Sequence, residues 1–480
     1  MSALSSPAPE LEFIFHPRSV AIVGVSAKEN GGWGGGGFVS ALQDIGFRGP
    51  IYLVHPTANA IRGMKCYSHL VDVPDDVDYV ISSVPSRVAM QLLNDCIDKG
   101  VRVLHLFTAG FTETGDDERA QLEQDIISRA KEGGVRLIGP NCMGVYAPAS
   151  RLAMMGGQSP EAGPVGMVSQ SGMNAGEFIR NGLPRGIRCS KVISFGNGAD
   201  LKAADFLDYL VDDVETEIVA AYLEGIQDPL RLAKAIRRLG MTKPFAILKA
   251  GRTEAGARAA NSHTASLAGS LEVFDALCRQ AGALRVESME ELVDAAVTFR
   301  FVKSLAGPNV AVVGGGGGAS VLAADDLDAA GLKVPPLLPE TQAAVAKVTR
   351  EAGTSVRNPI DTTSLWEGEG FEGTIMPCST APNIDVILYH TRFGGGGPSS
   401  RFVGVRDRFR AQAETLGKIQ VESGKPIVIS IGPPLDTEGF RQSAEFQEFC
   451  WQAGMATYPS IPRAAQALSN LLRWQDMRVD

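Results

Sequence analysis

Three times along its length the chain runs a short apolar strand into a cluster of small residues and then into a helical pattern: SVAIVGVSA from Ser19, PVGMVSQSG from Pro164 and NVAVVGGGG from Asn309. The three starts are evenly spaced although the residues hardly match, so the repeat is one of architecture. Each unit then alternates apolar strands with helical stretches, the pattern of a parallel sheet covered by helices on both faces. The first unit offers AIVGV, PIYLVHP, YVISSVP, VLHLFTAG and VRLIGPN as strands. The second offers VGMVSQ, CSKVISFG, EIVAAYLEG and PFAILKAG, and the third NVAVVGG, DVILYH and PIVISIG. A length of 480 residues also exceeds what one core supports. The expectation is an α/β protein of three consecutive doubly wound domains, over residues 1–145, 146–303 and 304–480.

Composition narrows the function classes. Hydrophobic residues at 44% and charged residues at 21% describe an ordinary globular protein. The net charge of −9, with no run of Lys and Arg, leaves no electrostatic footprint for nucleic acid. The start MSALSSPAPELEF does not read as a signal peptide, and no apolar run is long enough for a bilayer. Seven cysteines without CxxC spacing or a Cys/His cluster argue against a metal site and a disulfide framework, and a reducing cytoplasm fits them.

In parallel α/β sheets ligands bind beyond the carboxyl ends of the strands. In the first unit those ends are Gly24-Val25-Ser26, His55-Pro56, Ser83-Val84-Pro85, Thr108-Ala109-Gly110 and Pro140-Asn141. They are small or polar, as the rim of an elongated ligand cleft would be; turn chemistry alone is the other reading. After the first strand, six glycines fall between Gly31 and Gly37, interrupted only by Trp33. Such a run lets backbone amides approach a phosphate, or forms a bland loop. It matches the dinucleotide fingerprint GxGxxG poorly.

In the second unit Ser169-Gln170-Ser171-Gly172 sits where a helix should begin, either as plain capping or as an anion site. Gly314 to Gly318 repeat the device in the third unit, with Gly316, Gly317 and Gly318 at the helix start. The two helix starts resemble two jaws for one phosphoryl group. Glu224 closes the strand EIVAAYLEG and could orient an imidazole, or be a rim carboxylate. His263, one of six histidines, lies in GRTEAGARAANSHTASLAGS, a stretch crowded with the smallest side chains. Either something passes the backbone closely there or the loop moves.

Taken together these stretches resemble the NDP-forming acyl-CoA synthetases, relatives of succinyl-CoA synthetase, over essentially the whole chain from Phe15 to about Trp474. The resemblance rests on HPRSVAIVGVSA, TAGFTETG, IGPNCMGV, VSQSG, SFGNGADL, YLEGIQDP, LKAGRTEAGARAANSHTASLAGS, VRNPIDTT and YPSIPRAAQALSNLLRW. It implies a Rossmann-like CoA-binding domain followed by two flavodoxin-like domains of the succinyl-CoA ligase type. It implies that His263 is transiently phosphorylated on a swinging loop, with Glu224 holding its ring. It implies phosphate binding by Ser169, Ser171 and Gly172 together with Gly316, Gly317 and Gly318. CoA would lie along Gly24, Val25, Ser26, Pro56, Val84, Pro85, Thr108, Ala109 and Asn141.

Two residue patterns depart from the family's. Ala265 stands where the family usually has glycine, and the run Gly31 to Gly37 is richer than the usual stretch. The chain also stops where fused members continue into an ATP-grasp domain, so a separate ATP-grasp subunit is expected to carry ATP or GTP and Mg²⁺. The resulting expectation is a hetero-oligomeric acid–CoA ligase acting on a small carboxylic acid through an acyl phosphate and a phosphohistidine. Its rivals are a CoA-binding regulatory protein and a nucleotide-independent acyl or carbamoyl transferase on the same fold.

Overall fold

Among the described residues eighteen strands fall into three sheets, each built round one of the three apolar strands that open a unit. The computed structural model describes residues 8–26, 34–256, 258–259, 270–349, 354–362, 365, 368–394 and 405–478. His263, Ala265 and Gly31 to Trp33 of the glycine run lie outside them.

The first sheet holds β1 (Val20–Val23), β2 (Ile51–Val54), β3 (Ala60–Ile61), β4 (Met64–Tyr67), β5 (Tyr79–Ser82), β6 (Val103–Leu106) and β7 (Arg136–Ile138), in the order β3-β4-β2-β1-β5-β6-β7. Val20 of β1 lies level with Ile51 and Tyr79 on its two parallel neighbours. The second holds β8 (Gly144–Tyr146), β9 (Val165–Ser169), β10 (Cys189–Ser194), β11 (Ile218–Leu223), β12 (Phe245–Lys249) and β13 (Leu284–Val286), in the order β13-β12-β11-β9-β10-β8. The third holds β14 (Val310–Gly314), β15 (Ile360–Asp361), β16 (Val386–Thr391), β17 (Ile427–Ile431) and β18 (Ala456–Tyr458), in the order β15-β14-β16-β17-β18. The first two sheets belong to one compact unit, Met1–Arg180 with Arg188–Leu292, and the third to another, Asn181–Ile187 with Val293–Asp480.

The long apolar strands are the ones expected, and every residue of β9, β10, β11, β12 and β14 is buried. Burial on both faces gives β9, β11, β12 and β14 largely apolar runs with no alternation, whereas β10 also buries Ser190, Lys191 and Ser194. Six further strands were not anticipated: β3, β4, β8, β13, β15 and β18, none longer than four residues. Two of them also break the all-parallel expectation, since β3 pairs antiparallel with β4 and β8 with β10.

The helices follow local chemistry. In Pro229–Thr242, Asp228 caps the start by accepting from Arg231 N at 3.2 Å and proline occupies the first turn, where its missing N–H costs nothing. Leu232, Ala235, Ile236, Leu239 and Gly240 recur at helical spacing and form its buried face.

In all three sheets the chain leaves a central strand, adds a neighbour on one side, and returns to the other. The reversals fall beside β1 (between β2 and β5), β9 (between β10 and β11) and β14 (between β15 and β16). At such points the loops diverge and open a crevice.

Candidate functional site

The crevice at β9 holds several polar groups bonded to one another. β9 and β11 run parallel in register, with Tyr222 level with Ser169. The chain leaves β9 through Gln170, which is buried, and its side-chain oxygen accepts from the backbone N–H of Glu224 at 2.8 Å and of Gly225 at 3.0 Å. Gln170 N in turn donates to Tyr222 O at 3.0 Å. A single amide side chain thereby fixes the turn that carries Glu224.

Glu224 itself is half-buried, and its Oε1 accepts from the Tyr222 hydroxyl at 3.2 Å. Burial, followed by the neighbouring Glu224 charge, raises the pKa of the Tyr222 phenol, so it remains a donor. Lys249, the last residue of β12, is buried and donates to Glu224 O at 2.7 Å and Ala250 O at 2.6 Å. Burial lowers its pKa, and the Glu224 charge opposes that shift.

The expected anion-binding residues of this crevice divide by task. Ser169 is fully buried, and its hydroxyl donates to Ser171 O at 2.6 Å and accepts from Ser171 N at 3.2 Å, so it shapes the turn. The Ser171 hydroxyl accepts from Asn174 N at 3.3 Å, the bond of an N-cap on the helix Gly172–Gly182. The first N–H groups of a helix have no partner within it, and here the helix begins two residues after Gln170, whose side chain holds the backbone of Glu224. The two serines therefore build the helix start, and the backbone supplies its donors.

The crevice beside β1 gathers the expected CoA-contacting positions at one edge. Gly24 follows β1 with φ +92, and a Cβ there would lie 2.9 Å from the Ser83 carbonyl carbon and oxygen, so only glycine fits. Ser83 bonds back to Val23 O at 2.8 Å through its N–H, and its hydroxyl accepts from Gly35 N at 3.0 Å at the start of the helix Gly35–Ile45. Val25 is buried and Ser26 exposed. Val84 is half-buried and Pro85 exposed, and Val84 O accepts from the Thr108 hydroxyl at 2.7 Å. Asn141 N donates to Thr108 O at 3.2 Å, and Asn141 takes the left-handed conformation at φ 59 that asparagine tolerates. Ala109, Asn141 and Pro56 are all exposed, with Pro56 after β2 on the other side of β1.

Beside β14 the glycine run enters the helix Gly317–Ala329 through Gly316, φ 109. Gly316 N donates to Asp361 Oδ1 at 2.7 Å, so this amide already has an anion in the protein itself. Gly317 and Gly318 begin the helix beyond it. Behind them lies His390, buried, with its ring nitrogen Nε2 3.5 Å from Ser320 Oγ. Burial lowers its pKa, against the pull of Asp361. A Cβ on Gly314 would lie 2.1 Å from that same nitrogen, which explains glycine at the end of β14.

Sequence reasoning missed Gln170, Tyr222, Lys249 and Asp361. All four sit inside stretches whose neighbours were chosen, and Gln170 stands between the two selected serines. Its amide was overlooked because capping logic looks to hydroxyls and glycines. Among the described residues no group of three or more His, Cys, Asp or Glu is placed to hold a metal ion, and no helix is long and apolar enough to cross a membrane.

Comparison with known proteins accords with this geometry. Residues 18–148 match the family described as CoA binding domain, and residues 162–299 the succinyl-CoA ligase like flavodoxin domain. The alpha subunit of the ADP-forming acetate–CoA ligase I of Pyrococcus furiosus is 34% identical over 473 residues, covering 97% of each chain. The ADP-forming acetate–CoA ligase of Methanocaldococcus jannaschii is 39% identical over 317 residues, 66% of this chain but only 44% of that protein. Among solved structures, a dinucleotide forming acetyl-coenzyme A synthetase 1 of Ca. Korarchaeum cryptofilum, in complex with phosphate and ADP, superposes with a TM-score of 0.81 at 29% identity. That match covers 98% of this chain and 97% of the other.

Proposed function

The chain belongs to the NDP-forming acyl-CoA synthetases, and from that premise we propose that it is the CoA-binding, histidine-phosphorylated subunit of an acid–CoA ligase. The overall reaction is acid + CoA + ATP ⇌ acyl-CoA + ADP + phosphate, with ATP or GTP as the nucleotide. In the forward direction an imidazole nitrogen of His263 attacks the γ-phosphorus and ADP leaves. A carboxylate oxygen of the acid then attacks that phosphorus, and the imidazole leaves an acyl phosphate behind. The CoA thiolate attacks the acyl carbon and phosphate departs. Phosphoryl transfer asks little covalent chemistry of the protein and much positioning and charge stabilisation.

The observation that carries this reading is the position of Glu224. It is a carboxylate at the switch point of the second sheet, fixed by Gln170 and standing at the helix start of Gly172–Gly182. There it can hold an imidazolium and leave the other ring nitrogen to the phosphorus. We assign phosphate to the helix start after Ser171 and CoA to the crevice beside β1; the helix start after Gly316 is a separate candidate anion site in the other unit, with its first amide already bonded to Asp361. We assign the nucleotide and its Mg²⁺ to a separate ATP-grasp subunit, since this chain matches an alpha subunit over 97% of its length. The domain boundaries 1–145, 146–303 and 304–480 serve as working limits; the second one falls between the second and third sheets, while β8 (Gly144–Tyr146) of the second sheet straddles the first. A reducing cytoplasm suits seven buried, unpaired thiols.

The ligase names of the relatives favour this reading over a regulatory protein or a nucleotide-independent transferase. The test is reconstitution. Calorimetry on the chain alone should register CoA, while ATP cleavage and thioester formation should start only when an ATP-grasp partner is added. Thioester formation without nucleotide, or ATP turnover by the isolated chain, would overturn it.

A further inference from the structure

The loop that leaves β10, Phe195 to Ala199, is bonded on three sides within the compact unit that holds the first two sheets. Phe195 N donates to Ser169 O at 3.0 Å, at the end of β9. Asn197 N donates to Pro140 O and Ala199 N to Gly139 O, each at 3.0 Å, on the segment that runs into Asn141. Gln227 reaches back from the turn that carries Glu224 and donates through Nε2 to Asn197 O at 2.7 Å. A Cβ on Gly196 would lie 2.3 Å from Pro140 O and 2.4 Å from Asn141 O, so the loop approaches the edge assigned to CoA as closely as glycine permits.

The Asn197 side chain adds a fourth tie. It is 6% exposed, and its amide nitrogen donates to Glu113 Oε2 at 2.6 Å and lies 3.4 Å from Glu123 Oε2 on the helix Asp117–Glu132. Glu113 also accepts from the backbone N–H groups of Gly110 and Phe111, and Glu123 from Thr112 N at 3.2 Å. These amides belong to the loop that begins with Thr108 and Ala109, and Arg119 holds the same loop by donating to Gly110 O at 3.2 Å. Burial pushes the Glu113 carboxyl up, and its bonds from Gly110, Asn197 and Phe111 outweigh that and keep it ionised. The bond from Asn197 is therefore charge-assisted, the stronger kind. One residue thus holds both sides of the CoA-assigned edge, Thr108–Gly110 and Pro140–Asn141, and through Gln227 it holds the turn of Glu224.

We propose that Asn197 is a positioning residue for thioester formation, setting the separation between the CoA-assigned edge and the turn that carries Glu224. The inference rests on the ligase reading above and adds a residue to it. Phosphorylation of His263 draws on the Glu224 turn, which Gln170 fixes by itself. Thioester formation needs both crevices at once: the CoA thiolate attacks the acyl carbon of the acyl phosphate, the C–S bond forms, and phosphate leaves with the electron pair of the broken C–O bond. A misplacement of about 1 Å at such a step costs roughly a hundredfold in rate.

The experiment compares Asn197→Ala and Gln227→Ala with the wild type in the two steps, and follows hydrogen exchange in the chain alone. With the ATP-grasp partner, acyl-CoA formation should fall by roughly a hundredfold in Asn197→Ala and by roughly tenfold in Gln227→Ala. The KM for CoA and the rapid-quench phosphorylation of His263 should stay within about threefold of wild type. A merely structural defect would depress both steps together. In the chain alone, CoA should slow exchange over residues 194–200 and 224–228 of the wild type, and slow the second segment less in either variant. Should Asn197→Ala fail to fold, Gln227→Ala, which leaves the Asn197 side chain in place, reads the same split. Wild-type turnover in the variants, equal losses in both steps, or CoA binding without any change of exchange in the two segments would overturn the proposal. Slowed exchange in a chain that forms no thioester from any acid would uphold the tie between edge and turn and sink the ligase reading, so the two failures remain distinct.

Discussion

The side-chain oxygen of Gln170 lies 2.8 Å from the backbone nitrogen of Glu224 and accepts a hydrogen bond from its N–H, so the residue that leaves β9 sets the position of the carboxylate that leaves β11. Gln170→Ala removes the acceptor of two amides at once, those of Glu224 and Gly225. Leaving such groups unsatisfied costs on the order of 1–3 kcal/mol. The variant should melt lower and phosphorylate His263 more slowly, with CoA affinity unchanged because CoA is assigned to the crevice at β1. Chemical denaturation and rapid-quench labelling check the two halves.

Glu224→Gln keeps a hydrogen-bonding group but loses the charge proposed to stabilise a developing imidazolium. Loss of such support slows the step by about 10² to 10⁴. Rapid-quench phosphorylation in the presence of the partner subunit reads it directly, and a wild-type rate would reduce Glu224 to a rim carboxylate.

His263→Ala should abolish acid-labile, base-stable phosphate labelling and acyl-CoA formation together, while calorimetric CoA affinity stays within about twofold of wild type. Continued labelling would move the nucleophile to another residue.

His105 provides a test of pH dependence that is independent of catalysis. It is fully enclosed beneath Gly144, with Nε2 3.1 Å from Cys142 O, and burial lowers its pKa from 6.5 to about 4. Between those two values the unfolded chain binds more protons than the folded one, so stability rises with pH across that window. The contribution is complete above the unfolded value and is lost as pH falls toward 4, on the order of 3 kcal/mol in all. Urea midpoints measured from pH 7 to pH 4 should fall for the wild type and fall less for His105→Gln.

Asp294 is buried within the second unit and binds two arginines: Arg185 Nη1 at 2.6 Å, and Arg463 through Nε at 2.7 Å and Nη2 at 2.9 Å. Arg185 also donates to Thr457 O through Nε at 2.9 Å and Nη2 at 2.6 Å. Asp294→Ala leaves a buried guanidinium without its counter-charge, and removing one partner of such a pair costs about 3–5 kcal/mol. Thermal unfolding of this variant should shift far more than that of Glu438→Ala, whose partner Arg441 is exposed.

These residues also show where sequence reading stops. The strands β9, β11 and β14 were legible because burial on both faces forces uninterrupted apolar runs, and Glu224 because a charge at the end of such a run stands out. The edge strand β3 has two residues and β8 three, too short to carry periodicity, and β8 pairs with β10, about fifty positions on, while β3 only turns back onto β4. Asp294 and Arg185 are 109 positions apart, so no local pattern announces them. Asp361 was hidden for the same reason, since its partner is an amide 45 positions earlier.

The parallel register that sets Tyr222 beside Ser169 has a consequence for anyone who would re-engineer this catalyst. Carboxylate and helix start are mounted on adjacent strands of one sheet and cross-tied at the turn, so the gap between them behaves as a fixed gauge. Shortening Glu224 to aspartate would withdraw the charge by one methylene while the turn stayed where Gln170 holds it, and backbone drift could not restore the reach. Adapting the site to a nucleophile of different length would therefore require editing β11 itself.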